Sequence, residues 1–324
     1  MTVGLAFLER AAADTGFQPA VLEKVIRLGD MARDIARHPL LGNSLLLKGG
    51  TVINLCLASP PQRLSVDLDY NYVGQLEREA MVAARPGIEA ALIDLAQRGG
   101  YRVQQSADTF AGRKMHLGYR SALGHEDRLE IDVNYLFRIP LVDPVEMEVW
   151  QPGSLDRPRV RCVGAVEVWA GKILALLARM MPRDAWDVGR QPLLDPSVTA
   201  TPGFRSHFLA LAATLDHPLP RYGRIRFQKR ITDRMVREQL APMLGQVPVP
   251  AATELVDKAW TVLAPFLDLQ ERERRFFEAV QRGELRLGML FPEEPEVAER
   301  LAGHPALLWK IVNVRRHLGL SPEA

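Results

Sequence analysis

The chain of 324 residues has only two cysteines, Cys56 and Cys162. Both lie in apolar stretches, where a reduced and buried thiol is the ordinary case. Two cysteines cannot build a disulfide framework, and no His and Cys residues fall at the spacings of a zinc site. The seven histidines are scattered, and no serine lies in a recognisable nucleophile motif. The sequence therefore predicts no zinc centre and gives no support to a Ser-His-Asp hydrolase.

Long hydrophobic runs and a strong excess of one charge are also missing. The most apolar run, residues 173–178, is far too short to span a bilayer, and residues 1–17 lack the basic segment of a signal peptide. The formal net charge is +2, so an argument for nucleic acid must rest on local clusters. We expect a cytoplasmic protein that does not associate with a membrane.

The chain is long enough for two domains, and its hydrophobic pattern changes near the middle. Between residues 40 and 140 the pattern mixes helices with strands, and most of the strands should share one sheet. The strands predicted there are 63–72, 101–105, 114–119 and 128–136. The helices predicted up to that point are 19–37, 52–57 and 77–98, the last with a kink or break at Pro86.

From residue 163 onwards the pattern is mainly helical, and residues 247–250 form its clearest linker. The helices predicted in this half are 164–181, 184–190, 204–215, 229–241, 252–264, 270–282 and 305–318. The sequence therefore predicts an α+β chain with a mixed domain over residues 1–160 and a helical domain over residues 161–324.

The most informative motif is Lys48-Gly49-Gly50-Thr51, which precedes a predicted helix. A glycine turn that opens a helix can hold phosphates on its backbone N–H groups. The motif is not a Walker A loop, because no Gly-Lys-Ser/Thr closes it. Glycine turns often only link elements, so the motif alone does not define a site.

Two carboxylates follow this turn on the strand predicted over residues 63–72. Asp67 and Asp69 are two residues apart, so both leave the same face of a strand. Like charges this close favour a cation between them, and oxygen ligands suit Mg²⁺ or Mn²⁺. Asp132 on a neighbouring strand would bring a third carboxylate, and three carboxylates can hold two divalent ions. The alternative is a strand with one solvated face and no function.

Four motifs that together span about residues 40–190 carry a resemblance to a known family. They are Lys48-Gly49-Gly50-Thr51, Arg63-x-Ser65-x-Asp67-x-Asp69, Lys172-Ile173-Leu174-Ala175-Leu176 and Arg183-Asp184-Ala185-Trp186-Asp187-Val188. In these motifs the chain resembles the AbiEii/AbiGii (MenT-like) nucleotidyltransferase toxins of the DNA polymerase β-like superfamily. The resemblance implies a polymerase β-like mixed sheet with flanking helices, followed by a helical domain that completes the active site and binds the acceptor.

The resemblance also implies roles for particular residues. The catalytic residues are then Asp67, Asp69, Lys172 and Asp187. Gly49, Gly50 and Thr51 then contact the triphosphate of the NTP substrate. The further candidates for nucleotide binding are Lys48, Arg63, Ser65 and Arg183, of which Arg183 either touches phosphate or positions Asp187. The ligands of Mg²⁺ (or Mn²⁺) are Asp67, Asp69 and Asp132. Many superfamily members have Gly-Ser where this chain has Gly-Gly, so a serine contact with phosphate would be absent.

Structural alternatives stay open for several of these side chains. Lys172 has apolar neighbours one helical turn away, so it either meets an anion or pairs with an acidic residue of a neighbouring element. Arg183 and Asp187 have the spacing of an ordinary helical ion pair. Arg63 and Ser65 either orient the metal site or have structural roles.

The densest basic run of the chain covers residues 221–230, with aromatic residues between the cations. This composition suits contacts with an RNA backbone and some base stacking, although a solvated face would look the same. The RNA-binding residues predicted here are Arg221, Arg224, Arg226, Lys229 and Arg230.

The leading hypothesis is a toxin that adds nucleotides from NTP to the 3′ end of tRNA, blocks aminoacylation and translation, and has a cognate antitoxin. One alternative keeps the site but transfers the nucleotide to a protein or a small molecule. Another is an inactive nucleotide- or RNA-binding module. Replacement of Asp69 or Lys172 by alanine should abolish transfer without unfolding the protein. The oligomeric state stays open.

Overall fold

The computed structural model describes residues 3–107, 109–201 and 203–321. The chain divides into two compact units. Unit 1 contains Met1–Gly164 and the later segment Arg237–Val249, and unit 2 contains Ala165–Val236 and Pro250–Ala324. Unit 1 is therefore built from two separate pieces of the chain.

Unit 1 is an α+β unit with a mixed sheet, as the sequence predicts. Its elements are α1 (Leu5–Thr15), α2 (Pro19–Arg37), α3 (Leu41–Ser44), β1 (Leu45–Lys48), α4 (Gly49–Thr51), β2 (Asp67–Tyr72), α5 (Arg78–Arg98), β3 (Arg102–Gln105), β4 (Gly112–Arg120), β5 (Glu126–Asn134), β6 (Val145–Glu148) and β7 (Arg159–Cys162). A π-helical segment, Val52–Leu57, continues α4. Among the described residues the strands form one seven-stranded sheet in the order β3-β4-β5-β2-β1-β7-β6. β2 pairs with β5 and β1 with β7 in parallel, and the other pairs are antiparallel.

One face of the sheet forms the core of unit 1. Leu68 on β2 and Ile131 on β5 are buried on this face. Helix α2 packs against it, and the Arg27 guanidinium lies 4.1 Å from the centre of the Tyr119 ring. Because side chains alternate along a strand, the intervening residues of β2 and β5 point to the opposite face. That opposite face carries the carboxylates predicted for the site.

Two predictions for unit 1 differ from the structure. Helix α5 runs without interruption through Pro86, so of the predicted kink or break the break is wrong. Strand β2 begins at Asp67 and not at residue 63, because the preceding residues pair with the returning segment of the chain. Leu64 donates its backbone N–H to the Met243 carbonyl over 2.9 Å, and Arg63 forms an isolated β-bridge with Leu244.

The strands predicted from the sequence also leave out β1, β6 and β7. Each has four residues, too few for alternation to stand out from chance. The order of the sheet is therefore visible only in the structure, which places β7 beside β1.

Unit 2 is mainly helical. Its helices are α6 (Ala165–Arg179), α7 (Pro182–Gly189), α8 (Gln191–Leu194), α9 (Phe204–Ala212), α10 (Arg224–Arg230), α11 (Asp233–Met235), α12 (Ala252–Leu267), α13 (Glu271–Gln281), α14 (Pro295–Ala302) and α15 (Pro305–His317). Its core contains Phe204 and Phe208, whose ring centres each lie 5.4 Å from that of Phe266. No helix in the described part of the chain has the length and apolar character needed to cross a bilayer.

Most helices predicted for this half are present with small shifts at their ends, but the one over residues 229–241 is wrong. In its place α10 ends at Arg230, α11 starts at Asp233, and a π-helical turn covers Val236–Leu240. Ile231 has an extended backbone, and the Thr232 side chain accepts the Met235 N–H as the N-cap of α11. A cap of this kind starts a new helix and so interrupts the one predicted from periodicity.

Candidate active site

Four strands bring charged side chains into one row on the polar face of the sheet. Lys48 of β1 lies opposite Asp69 of β2 in the strand register. Asp69 in turn lies opposite Asp132 of β5, and Asp132 lies opposite Lys114 of β4. Since paired strands are about 4.8 Å apart, two aspartates stand side by side with a lysine beyond each. The structure thus brings together Lys48, Asp69 and Asp132, as the sequence predicts.

The glycine turn lies against this row. Gly49 has φ +73°, a conformation that favours glycine. A Cβ built on Gly49 would lie 2.7 Å from Asp69 Oδ2, so any side chain there would displace the carboxylate. The turn leads into α4 and the π-helical segment after it. The close approach of the turn to Asp69 therefore depends on glycine.

Short hydrogen bonds fix the carboxylate strand to its surroundings. Ser65 Oγ donates to Asp67 Oδ1 over 2.9 Å, and Thr51 Oγ1 donates to the Asp67 carbonyl oxygen over 2.5 Å. Ser65 and Thr51 are both buried. Ser65 therefore orients the Asp67 carboxylate, and the Thr51 hydroxyl joins the glycine turn to β2.

Arg63, predicted to help at the nucleotide site, is 2 % exposed. Its guanidinium donates to the Leu64 carbonyl oxygen over 3.0 Å. These features describe an arginine that supports the backbone next to the site.

Lys114 is a residue of this face that the sequence analysis missed. Its Nζ lies 2.5 Å from Glu130 Oε1 and 4.0 Å from Asp132 Oδ2. The hydrogen bond to Glu130 raises the pKa of Lys114, although burial opposes this change. Burial raises the pKa of Asp132, while Lys114 and then Lys48 act to lower it. The alternation of β4 would have placed Lys114 on one face, but only strand pairing shows which carboxylates it meets.

Asp67 and Asp69 form the donor set that best fits a divalent cation. Their carboxylates leave one face of β2, and hard oxygen ligands are what Mg²⁺ and Mn²⁺ prefer. Over the described ranges, no three or more Asp, Glu, His or Cys side chains form a group that could hold a metal ion. Mg²⁺ often uses one or two carboxylates together with waters and substrate phosphates, so a pair of carboxylates is compatible with such an ion.

In unit 2, Lys172 and Asp187 lie in a buried cluster of charges. Lys172 Nζ is 2.9 Å from Asp187 Oδ2 and 3.0 Å from Asp184 Oδ1, and all three residues are buried. Arg179 Nε on the last turn of α6 lies 2.7 Å from Asp184 Oδ2. Lys172 thus has the acidic partners from a neighbouring helix that the structural alternative anticipated.

The charges around Asp184 decide its ionisation. Burial alone would raise the pKa of this carboxyl, but Lys172 and Arg179 outweigh it and hold the pKa at about 2. Asp184 is therefore a carboxylate at neutral pH. Asp184 belongs to the motif at residues 183–188, where no role was predicted for it, although Asp184 and Asp187 have the spacing of one helical face. Arg183, on the same helix, is half-buried.

The basic run in unit 2 presents its cations and buries its aromatic rings. Tyr222 and Phe227 are 3 % and 2 % exposed, so their rings are not available for base stacking. Arg224 forms an ion pair with Asp257, and the Arg226 guanidinium lies 5.2 Å from the centre of the Tyr222 ring. The remaining predicted RNA-binding residues are exposed: Arg221, Lys229 and Arg230. The structure therefore keeps the charge of this run but not its aromatic surface.

The architecture has a counterpart among solved structures. MenT4, a nucleotidyltransferase toxin from Mycobacterium tuberculosis H37Rv, superimposes with a TM-score of 0.55 at 19 % sequence identity. The alignment covers 93 % of this chain and 98 % of that one. The likeness shows that the two chains share an α+β fold. A comparison with curated proteins gave no match.

A family model described as nucleotidyl transferase AbiEii toxin of a type IV toxin–antitoxin system matches residues 32–264. The match includes the glycine turn, the carboxylate strand and the Lys172 cluster. The chain belongs to this AbiEii family of toxin nucleotidyltransferases. Membership supports an enzyme activity and implies a cognate antitoxin, and it confirms the family predicted from the four motifs.

Proposed function

We propose that this protein transfers nucleotides from an NTP to the 3′ end of tRNA. The observation that carries the proposal is the glycine turn held against Asp69 on a strand whose two carboxylates share one face, in a chain of a nucleotidyltransferase family. A phosphate-binding turn beside metal-binding carboxylates is what transfer from a triphosphate requires.

The residues of unit 1 have separable roles in this proposal. Gly49 and Gly50 offer backbone N–H groups to the phosphates, and Lys48 adds a positive charge beside them. Asp67 and Asp69 would hold Mg²⁺ or Mn²⁺, and the bound ion supplies Lewis-acid stabilisation of the charge on phosphate. Ser65 keeps the Asp67 carboxylate oriented through its hydrogen bond.

The reaction is a single displacement at phosphorus. The 3′-hydroxyl oxygen of the acceptor attacks the α-phosphorus of the NTP and forms a new phosphodiester bond. The bond between the α-phosphorus and the bridging oxygen breaks, pyrophosphate leaves, and the hydroxyl proton passes to solvent. An extended 3′ end cannot accept an amino acid, so aminoacylation and translation in the cytoplasm would stop until the antitoxin acts.

Unit 2 enters the proposal in two ways. The exposed cations of the basic run would contact the tRNA backbone, since such contacts need charge but not aromatic rings. Lys172 and Asp187 would be required for transfer, as the family resemblance implies.

The test incubates the purified protein with total tRNA, Mg²⁺ and each NTP labelled at the α-phosphate, with γ-labelled ATP in parallel. We expect α-label in tRNA and a loss of at least about 10²-fold in Asp69→Asn, because the substitution removes charge from the metal site. Lys24→Gln is the control, because it also replaces a charged side chain by an amide but lies away from the site. Lys24 pairs over 2.8 Å with Asp127, which points to the face of the sheet opposite the predicted site.

The other outcomes separate the alternatives. Label from the γ position alone would indicate a kinase and contradict the proposal. Absence of label from tRNA, with label in protein or in small molecules, would contradict the tRNA acceptor and leave nucleotidyl transfer. Nucleotide binding without any transfer would identify an inactive binding module.

A further inference from the structure

A basic cleft lies in unit 1 where β1 and β7 begin, outside every residue predicted for the site. Its volume is about 340 Å³, which is within the range of ligand-binding sites. Its lining comes from the end of α2, from residues just before β1, and from the edge strands β6 and β7. The charged residues that line it are Arg37, Glu146, Arg159 and Arg161. Three guanidinium groups thus face one carboxylate.

The carboxylate neutralises little of this charge. Arg159 Nη2 lies 3.7 Å from Glu146 Oε2, and the two side chains are 68 % and 63 % exposed. An exposed pair at this distance contributes little free energy, so an incoming anion can replace the carboxylate. Arg37 is exposed, and among the described residues no carboxylate lies within ion-pair distance of its guanidinium.

Two further groups of the cleft are held in place by the backbone. Arg161 Nη1 donates to the carbonyl oxygens of Gly42 and Asn43 over 3.2 Å each, which fixes the guanidinium at the floor of the cleft. His38, also in the lining, accepts backbone N–H groups at Nδ1 from the two residues that begin α3. In the neutral ring the proton is then on Nε2, which is a further donor. The cleft therefore offers hydrogen-bond donors as well as positive charge.

The strand register relates this cleft to the candidate active site. Cys162 of β7 lies opposite Leu47 of β1 in a parallel pair. Because side chains alternate, Arg161 leaves the same face of the sheet as Lys48, which precedes the glycine turn. Two residues along the strand and one strand across place their Cα atoms about 8 Å apart. A chain bound in the cleft can therefore extend towards the glycine turn.

The chemistry of the lining favours phosphate groups of a nucleic acid backbone. Guanidinium groups bind phosphate oxygens through paired N–H donors. Arg37 and Arg159 are exposed at the rim, so the cleft is open enough for one phosphate of a long chain. Binding of a polyanion also releases counterions, a gain that a single small anion provides to a lesser extent.

We propose that this cleft binds a backbone phosphate of the RNA acceptor through Arg37, Arg159 and Arg161. The inference rests on RNA as the acceptor in the proposed function. It goes beyond that function by assigning an RNA contact to unit 1, in addition to the basic run of unit 2.

The test measures binding of fluorescently labelled tRNA to the full-length protein by anisotropy, without NTP, between about 50 and about 200 mM KCl. The double variant Arg37→Gln/Arg159→Gln should weaken binding about tenfold and reduce the slope of log Kd against log salt by about one. Glu146→Gln should change affinity in the opposite direction, with binding about threefold tighter, because it removes a negative charge from the cleft.

Arg102→Gln is the matched control. Arg102 is an exposed arginine on β3, at the other edge of the same sheet, and it also pairs with a glutamate, Glu126. Its replacement should leave the affinity for tRNA within about 1.5-fold of wild type, since it lies outside the cleft. Urea denaturation checks that the double variant, which changes two exposed residues, keeps the stability of wild type.

A second readout follows transfer with NTP present. The double variant should raise KM for tRNA and leave kcat unchanged, as expected when binding is lost equally from the ground state and the transition state. A lower kcat at unchanged KM would contradict a binding role for the cleft.

The contrary outcomes distinguish this inference from the proposed function. Unchanged tRNA affinity in both the double variant and Glu146→Gln would overturn the inference and leave the proposed function intact. Loss of inorganic phosphate binding in the double variant, measured by calorimetry, with tRNA affinity unchanged would identify a site for a free anion and also overturn it. Absence of tRNA binding by wild type would contradict the tRNA acceptor, and this inference with it.

Discussion

The two units each pair a lysine with two carboxylates, but in different surroundings. In unit 1 the Lys114 and Glu130 side chains are 39 % and 33 % exposed, whereas in unit 2 the Lys172 and Asp184 side chains are 5 % and 2 % exposed. Water can solvate the charges of the first group if the lysine moves away. The charges of the second group depend on one another, because burial of an unpaired charge is costly.

The difference in exposure gives the two groups of lysine and carboxylates different roles. A half-exposed group can exchange partners when a substrate or an ion arrives, since solvent compensates for the lost contact. A buried group holds its helices in one arrangement and resists exchange. Lys114 therefore suits a site that binds ligands, and the contacts of Lys172 also make it a structural residue of unit 2.

Replacement of Lys172 by methionine should have the largest effect on stability. It leaves Asp184 and Asp187 buried without the Lys172 ammonium, so we expect a loss of about 3–5 kcal/mol in the free energy of unfolding. Urea denaturation followed by circular dichroism measures this loss. A loss of this size would contradict part of the expectation from the sequence, which is that Lys172→Ala loses activity but stays folded.

Lys258→Met provides the control for this measurement, because Lys258 forms an exposed pair with Glu254 over 2.7 Å. It should change stability by less than about 0.5 kcal/mol. Equal losses in the free energy of unfolding for Lys172→Met and Lys258→Met would contradict the expected difference between a buried and an exposed lysine.

A smaller effect should appear in the pH dependence of stability. The pKa of Asp184 is about 2 in the folded protein, below the value of 3.8 of an unperturbed aspartate. A depressed folded pKa contributes stability above pH 4, and this contribution is lost as the pH falls from about 4 to about 2. The contribution is about 2 kcal/mol, because a tenfold change in an acid dissociation constant corresponds to about 1.4 kcal/mol.

Urea denaturation of wild type and Asp184→Asn at steps between pH 6 and pH 2.5 isolates this contribution. The stability of wild type should fall more steeply than that of the variant below pH 4. Parallel curves would mean that the Asp184 carboxylate is not stabilised by Lys172 and Arg179.

The smallest effect is expected for Lys114→Gln. Because its contacts are half-exposed, the free energy of unfolding should change by no more than about 1 kcal/mol. Urea denaturation of this variant beside wild type and Lys24→Gln gives the measurement. A loss as large as that of Lys172→Met would show that Lys114 stabilises the fold to the same extent. It would contradict the difference in role between the two lysines.

Local patterns in the sequence predicted much of unit 1. Period-two alternation predicts that Asp67 and Asp69 share one face, and two glycines in front of a predicted helix indicate a turn that can hold phosphates. Such features depend on neighbours along the chain. The same reasoning began β2 too early, because the backbone partner of Leu64 lies almost two hundred residues further on.

The partners of Lys114 and Lys172 could not be predicted from the sequence, because they depend on how distant parts of the chain pack together. Lys114 meets Glu130 and Asp132 only because β4 and β5 pair in one register. Lys172 was recognised as unusual from its apolar neighbours, but the choice between an anion and acidic partners required the position of α7. The sequence gives the position of a lysine charge along the chain, but only the structure identifies the carboxylates that pair with it.

The return of Arg237–Val249 to unit 1 has a consequence for protein synthesis. A nascent chain that has emerged as far as Gly164 carries the glycine turn and both carboxylates, but not the backbone that pairs with Arg63 and Leu64. Ala165–Val236 must be synthesised first, and the returning segment emerges from the ribosome only after it. The part of the toxin that bears its candidate active site is therefore completed late in translation, and a transcript cut short before that point cannot encode it in full.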